Sequence, residues 1–432
     1  MPASPSTARA INDRLALRLL QQEGPLTAGR LKQLTGLSRP TVADLVERLG
    51  AAGLIEVVGE AGERRRGPNA KVYGIVADRA HLAALDVRTE GVAVAVADLV
   101  GRVLAEASVP IAGDAGTGPA LEQAVTLVER VVKEAGAERL HTVGIGAPGL
   151  VDPSSGELRD STGLPEWHRR LVATLQERLP DAGVSVENET NLAALAEQRD
   201  GVARDRDTFV LLWLGHGTGA AVVLDGELRR GASGGTGEIG FLPVPGTAAL
   251  PTSTDCEGGF HSLAAAAAVV ELAAECGIPA EPSEVGVVRA AVDVVRGAVA
   301  QVGQREAESL AGPAPASAFL DALADRLAVG VASVVAILDP GCVVLGGEVG
   351  QAGGAELAAR VQDRIARMTP LPTEVRTTVL GGGAVLRGAL LTARDRAQEE
   401  LFEPGGMGRP DGGQGPSSPP PGRSVGLSRP WR

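Results

Sequence analysis

Two stretches of this 432-residue chain read alike: LDVRTEGVAVAVADLVGRVL from Leu85 and LWLGHGTGAAVVLDGELRRG from Leu212 each run strand, turn, strand, then an Asp near a Gly. Self-similarity of this kind is what a duplicated half produces, so both copies predict the same supersecondary unit. Around them strands alternate with helices, the pattern of an α/β domain with layered sheets. The strand candidates are His81 to Asp86, Val92 to Ala97, Val143 to Gly146, Val184 to Glu187, Phe209 to Leu214, Ala220 to Leu224 and Cys342 to Leu345. Helices are predicted at Pro119 to Ala135, Asn191 to Arg199, Ser262 to Cys276, Phe319 to Leu338 and Ala355 to Met368. Phe, Trp and Tyr together supply only 9 residues, so small aliphatic side chains must fill the core.

The first eighty residues follow a different period. Ile11, Leu15 and Leu19 recur on one helical face that ends at Gly24-Pro25, and a second helix starts at the N-cap Thr27. After the turn Thr35-Gly36-Leu37, Ser38 caps a third helix with Pro40 in its first turn and Val42, Leu45, Val46 and Leu49 along one face. Leu54 to Val58 and Lys71 to Val76 then read as the strands of a winged hairpin around GEAGERRRGPN. The spacing predicts a winged helix-turn-helix over 7–78 and an α/β body over 79–402, with 1–6 and the Gly- and Pro-rich 403–432 too poor in apolar residues to order.

Charge divides at the same boundary. Residues 1 to 80 hold 12 basic and 8 acidic residues, the remainder 29 and 45, so a basic head precedes an acidic body that repels polyanions. Ser38, Arg39, Thr41 and Arg48 of the third helix, with the cap Thr27, are the expected DNA contacts there; Arg64, Arg65 and Arg66 at the hairpin tip suit a narrow, electronegative minor groove. Winged helices also serve as protein-docking modules, and a run of arginines is elsewhere a solvated surface. Cys256, Cys276 and Cys342 form neither a disulfide framework nor a structural zinc spacing, and no apolar run spans a bilayer, so a cytoplasmic protein without membrane contact, metal or cofactor is expected.

Residues 9 to 76 resemble the winged head of the ROK family of repressors, open reading frames and sugar kinases. Residues 81 to 395 resemble its body through VGIGAPGLVDPSSGEL, VENETNLAALAE, LGHGTGAAVVLDGELRRGASGGTGEIG, LDPGCVVLGGEV and LGGGAVLRGALL. The resemblance implies an actin-like, duplicated ribonuclease-H-like ATPase fold whose two similar hairpins are its phosphate-binding turns. It implies nucleotide contacts at Gly215, Gly217, Gly219, Gly346 and Gly347, a general-base position at Glu189, and sugar contacts at Asn188 and Glu238.

The departures from the family pattern decide between its members. Where kinases carry Asp-x-Gly-Gly-Thr, this chain has Asp86-Val87-Arg88-Thr89-Glu90, and side chains fill what glycines leave open for phosphate. Glu189 stands for an Asp, one methylene longer; Gly163 stands for an Asn; Phe241 stands for the zinc-binding His, leaving only Cys256 and His261 of that motif. The expectation is therefore a sequence-specific DNA-binding transcriptional regulator with no catalysis. Its partners would be double-stranded operator DNA and a sugar or sugar-derivative effector, and it would be a homodimer or homotetramer. The rival expectation is an ATP-dependent sugar kinase with a regulatory head.

Overall fold

The computed structural model describes residues 5–61, 69–88, 91–112, 115–159, 165–247, 249–252, 257–279, 286–308 and 315–402. Its compact units are Met1–Ile75 with Glu399–Arg432, and Val76–Gln398.

The head runs α1 (Pro5–Glu23), β1 (Leu26–Thr27), α2 (Ala28–Thr35), α3 (Arg39–Ala51), β2 (Ile55–Ala61) and β3 (Ala70–Ile75). Its three strands pair antiparallel in the order β1-β3-β2, so the expected hairpin gains a third, two-residue strand. Gly36 turns left-handed at φ 70 and donates its N–H to the Lys32 carbonyl, closing α2 and aiming the chain into α3. Leu31, Val42, Leu45 and Leu49 are buried as the periodicity requires.

Helix α1 departs from expectation twice. It begins at Pro5, inside the segment expected to lack structure. Its buried face is Asp13, Ala16, Leu17 and Leu20, while Ile11 is 58% and Leu15 39% exposed. That face keeps the i, i+3, i+4, i+7 spacing but includes a carboxylate, which burial permits only with a partner. The partner is Arg48 on α3, whose Nη2 lies 2.5 Å from Asp13 Oδ1 and whose Nε donates to Oδ2 at 3.2 Å.

The second unit is built twice over. The first half runs β4 (His81–Arg88), β5 (Gly91–Asp98), β6 (Val103–Pro110), α4 (Thr117–Glu134), β7 (Thr142–Ala147), α5 (Glu166–Arg178), β8 (Gly183–Asn188) and α6 (Glu189–Arg199). The second runs β9 (Phe209–Leu214), β10 (Thr218–Leu224), β11 (Glu227–Arg229), α7 (His261–Ala264), α8 (Ala266–Glu275), α9 (Val287–Glu308), α10 (Pro315–Leu338), β12 (Cys342–Gly346), α11 (Gly347–Met368), β13 (Glu374–Thr377) and α12 (Ala384–Phe402). The sheets have orders β6-β5-β4-β7-β8 and β11-β10-β9-β12-β13. In each, the first three strands in sequence pair antiparallel and the last two join in parallel. Register repeats as well: Leu85 pairs with Ile145 as Leu212 pairs with Leu345. The duplication read from the two hairpins is the duplication of the fold.

The predicted helix Ser262 to Cys276 is two helices. Ala265 is extended at φ −69, ψ 160, and the next N–H, that of Ala266, bonds the Gly215 carbonyl at 3.0 Å, so the break ties α8 to the turn between β9 and β10. The helix predicted from Ala355 starts at Gly347 and is kinked at Gly354 (φ 55). Aliphatic side chains fill both cores, with Trp167 buried in the first and Phe260 and Phe319 in the second. A Cβ on Gly330 of α10 would come within 2.4 Å of the Phe260 ring, so only glycine leaves room for it.

Candidate functional site

Thr27, Ser38, Arg39 and Thr41, four of the expected DNA contacts, lie at the starts of α2 and α3. Ser38 accepts the Thr41 N–H at 3.3 Å and shares a 2.7 Å hydroxyl contact with Thr41, while Thr27 accepts the Arg30 N–H at 3.2 Å. These caps fix the start of both helices, and Arg39 stands exposed at the first position of α3. Arg48, also among the expected DNA contacts, is 32% exposed and ion-paired with Asp13 and Asp44, the first of which joins α3 to α1. Its polar exterior position in the sequence suggested DNA contact because Asp13 lies 35 residues away. Arg64, Arg65 and Arg66 lie outside the described residues.

In the second unit a cavity of about 1040 Å³ opens between the two halves. Asp86 and Arg88 enter it from the end of β4, Asn188 and Glu189 from the β8–α6 junction, Glu238 from the loop after β11, and Glu348 from the start of α11. Asn188 caps α6, its Oδ1 accepting the N–H groups of Thr190 (2.9 Å) and Asn191 (3.2 Å) while its Nδ2 donates to the Gly149 carbonyl (3.1 Å) and to Glu189 Oε2 (2.8 Å). Glu187 holds this corner from behind, accepting from Asn191 at 2.9 Å and Arg230 at 2.6 Å. Glu238 follows Gly237, where φ is +91 and a Cβ would meet the Ala220 carbonyl at 1.9 Å. Only glycine lets that loop lie on β10 and deliver Glu238 to the cavity mouth.

The cavity is acidic, and this shapes its titration. Burial, reinforced by the charges of Glu238, Asp86 and Glu348, pushes the Glu189 carboxyl up to about 8. Burial raises Glu238 as well. Asp86 is only 3% exposed; burial raises it despite the opposing pull of Arg88, and its Oδ1 has no hydrogen-bond partner among the described residues.

Of the five expected nucleotide glycines, Gly217 and Gly219 line this cavity, and each of the five has a protein neighbour. A Cβ on Gly215 would come within 2.7 Å of Glu348 Oε2, one on Gly217 within 3.6 Å of His261 Cε1, and one on Gly219 within 3.5 Å of Thr190 Oγ1. Gly346 packs on Leu211, and Gly347 (φ +73) lies against the Leu214 backbone. Glu348 escaped the sequence reading; the trace of it was a carboxylate directly after the glycine pair, with an arginine in the other turn to answer it. Phe241 lines the cavity, whereas Thr89, Glu90, Gly163 and Cys256 lie outside the described residues. Among the described residues no group of three or more His, Cys, Asp or Glu side chains is arranged to hold a metal, and no helix is long and apolar enough to cross a membrane.

Comparison with known proteins matches residues 82–396 to the ROK family and residues 11–66 to the MarR family. The chain belongs to the ROK family. Its body therefore has the actin-like ROK fold and its head is a winged helix of MarR type. The xylose repressor of Caldicellulosiruptor bescii is 25% identical over 240 residues, which are 55% of this chain and 59% of that protein. The glucokinase of Halalkalibacterium halodurans is 28% identical over 269 residues, 61% of this chain and 78% of that one. A crystal structure of an ROK family transcriptional regulator, a homolog of E. coli MLC, superposes with TM-score 0.70 at 20% identity over 91% of this chain and 98% of that one, a likeness of fold. ROK architecture thus reaches this chain from repressors and kinases alike, and the site has to decide between them.

Proposed function

We propose that this ROK protein is a sequence-specific DNA-binding transcriptional regulator. In this reading the winged head binds operator DNA, and the body assembles a homodimer or homotetramer and takes a sugar or sugar derivative in its cavity. The observation that carries the reading is Arg88 at the end of β4, where the family pattern has a glycine: its guanidinium is held by Asp86, Glu348 and the Gly382 carbonyl, whereas phosphoryl transfer requires open backbone donors. On this reading the body takes no nucleotide, and no catalytic step is assigned. Ser38, Arg39 and Thr41, with Arg64, Arg65 and Arg66, form the DNA-reading set, and Asn188, Glu189 and Glu238 the sugar-reading set.

The rival reading, a sugar kinase with a regulatory head, draws on Glu189, whose carboxyl enters the cavity at the family's general-base position. Coupled assay of ADP release with glucose, N-acetylglucosamine, mannose and xylose separates the two. The regulator reading expects no sugar-dependent release above background; turnover near the usual kinase range of about 1 per second or more would replace it with the rival.

A further inference from the structure

Arg88 and Glu348 come from opposite halves of the duplication, 260 residues apart, and meet across the cavity. Arg88 Nη1 donates to Glu348 Oε1 at 3.0 Å; Nε and Nη2 donate to Asp86 Oδ2 at 3.0 and 2.7 Å; Nη2 also donates to the Gly382 carbonyl at 2.8 Å. The other oxygen of Glu348 rests over Gly215 of the second turn. A cation from the end of β4 and an anion seated on the β9–β10 turn therefore meet across the cavity. A polyphosphate entering that span would have to lift Glu348 off Gly215, and would meet the carboxylates of Asp86 and Glu348 with the Arg88 guanidinium already shared between them.

We propose that the Arg88–Glu348 pair is a built-in occupant of the phosphate position, joining the halves of the body across the cavity where a nucleotide would otherwise join them. The inference rests on the regulator reading and narrows it: the connection a nucleotide would make between the two halves is supplied by the chain itself. Because each partner leaves the other's charge half-buried when removed, the two should act as one unit.

Hydrogen exchange on the full chain tests this, comparing wild type with Arg88→Ala, Glu348→Gln, the double variant and the conservative Arg88→Lys. Exchange in peptides covering 346–350 and 379–384 is expected to quicken by about tenfold in each single variant, no further in the double, and less in Arg88→Lys. Rates that multiply in the double variant, or singles that leave both peptides unchanged, overturn the pair as a link. Millimolar MgATP is expected to leave wild-type exchange unaltered, and protection of either peptide by MgATP overturns it as the phosphate-position occupant. Failure of the regulator reading itself shows separately, as wild-type protein that selects no DNA.

Discussion

Replacing Arg64, Arg65 and Arg66 together with Ala is expected to weaken operator binding on the order of 100-fold at physiological salt and to flatten its salt dependence. Each lost phosphate contact removes about 0.9 from the slope of log K against log salt, so three contacts remove nearly 3. Arg39→Ala should act in another way. An arginine at the first position of a recognition helix reads base edges, so its loss should cost about 1–3 kcal/mol on the cognate site and relax preference at one base pair, leaving the slope nearly unchanged. Arg48→Ala provides the contrast: with Asp13 buried at 5% side-chain exposure beneath it, the change should destabilise the head before it touches the interface. Fluorescence anisotropy titrations across a salt series distinguish the three. An unchanged slope and affinity in the triple variant would remove the wing from the interface.

Glu189→Gln is expected to stabilise the protein at alkaline pH and to do little near pH 4. The Glu189 carboxyl stands at about 8 in the folded chain against an ordinary value of 4.5, chiefly through burial, then through repulsion from Glu238, Asp86 and Glu348. Below about pH 4.5 the group is neutral in both states and contributes no difference. Between about 4.5 and 8 the unfolded chain releases the proton while the folded chain retains it, so stability falls as pH rises, and above 8 the whole penalty is present. A displacement of this size corresponds to an effect on the order of 3 to 5 kcal/mol. Gln cannot ionise and its carbonyl can still accept from Asn188 Nδ2, so the variant escapes the penalty and keeps the contact. Thermal unfolding of both proteins at pH 4.5 and 8.5 should show the variant gaining roughly 5 to 10 °C at the higher pH. Equal midpoints at both values would mean that Glu189 ionises freely in the cavity.

What the sequence made legible follows from how local each signal is. The turn chemistry at Gly36, the caps Thr27 and Ser38 and the strand Phe209–Leu214 depend on neighbouring residues, and they appear where the residue types place them. The twin hairpins announced the duplicated topology because the repeat lies in the chain itself. Strands β6 and β13 were missed: exposed or charged residues such as Val103, Glu106, Glu374 and Arg376 break the apolar alternation at these sheet edges. The α1 face was misread because Asp13 looks like a surface residue until Arg48 arrives from α3. Glu348 escaped for the same reason, since its meaning comes from Arg88. Asn188, Glu189 and Glu238, found through motif resemblance, do line one cavity with Asp86, which is what a site assembled from both halves of a duplicated fold requires.

The central claim is that the head reads DNA as a symmetric pair, and the most direct measurement is footprinting on genomic fragments that co-purify with the full-length protein. The account predicts a protected inverted repeat whose half-site centres lie one turn of about 10 to 10.5 base pairs apart, or a multiple of it. Fragments with no shared sequence, or a single unpaired half-site, would contradict it.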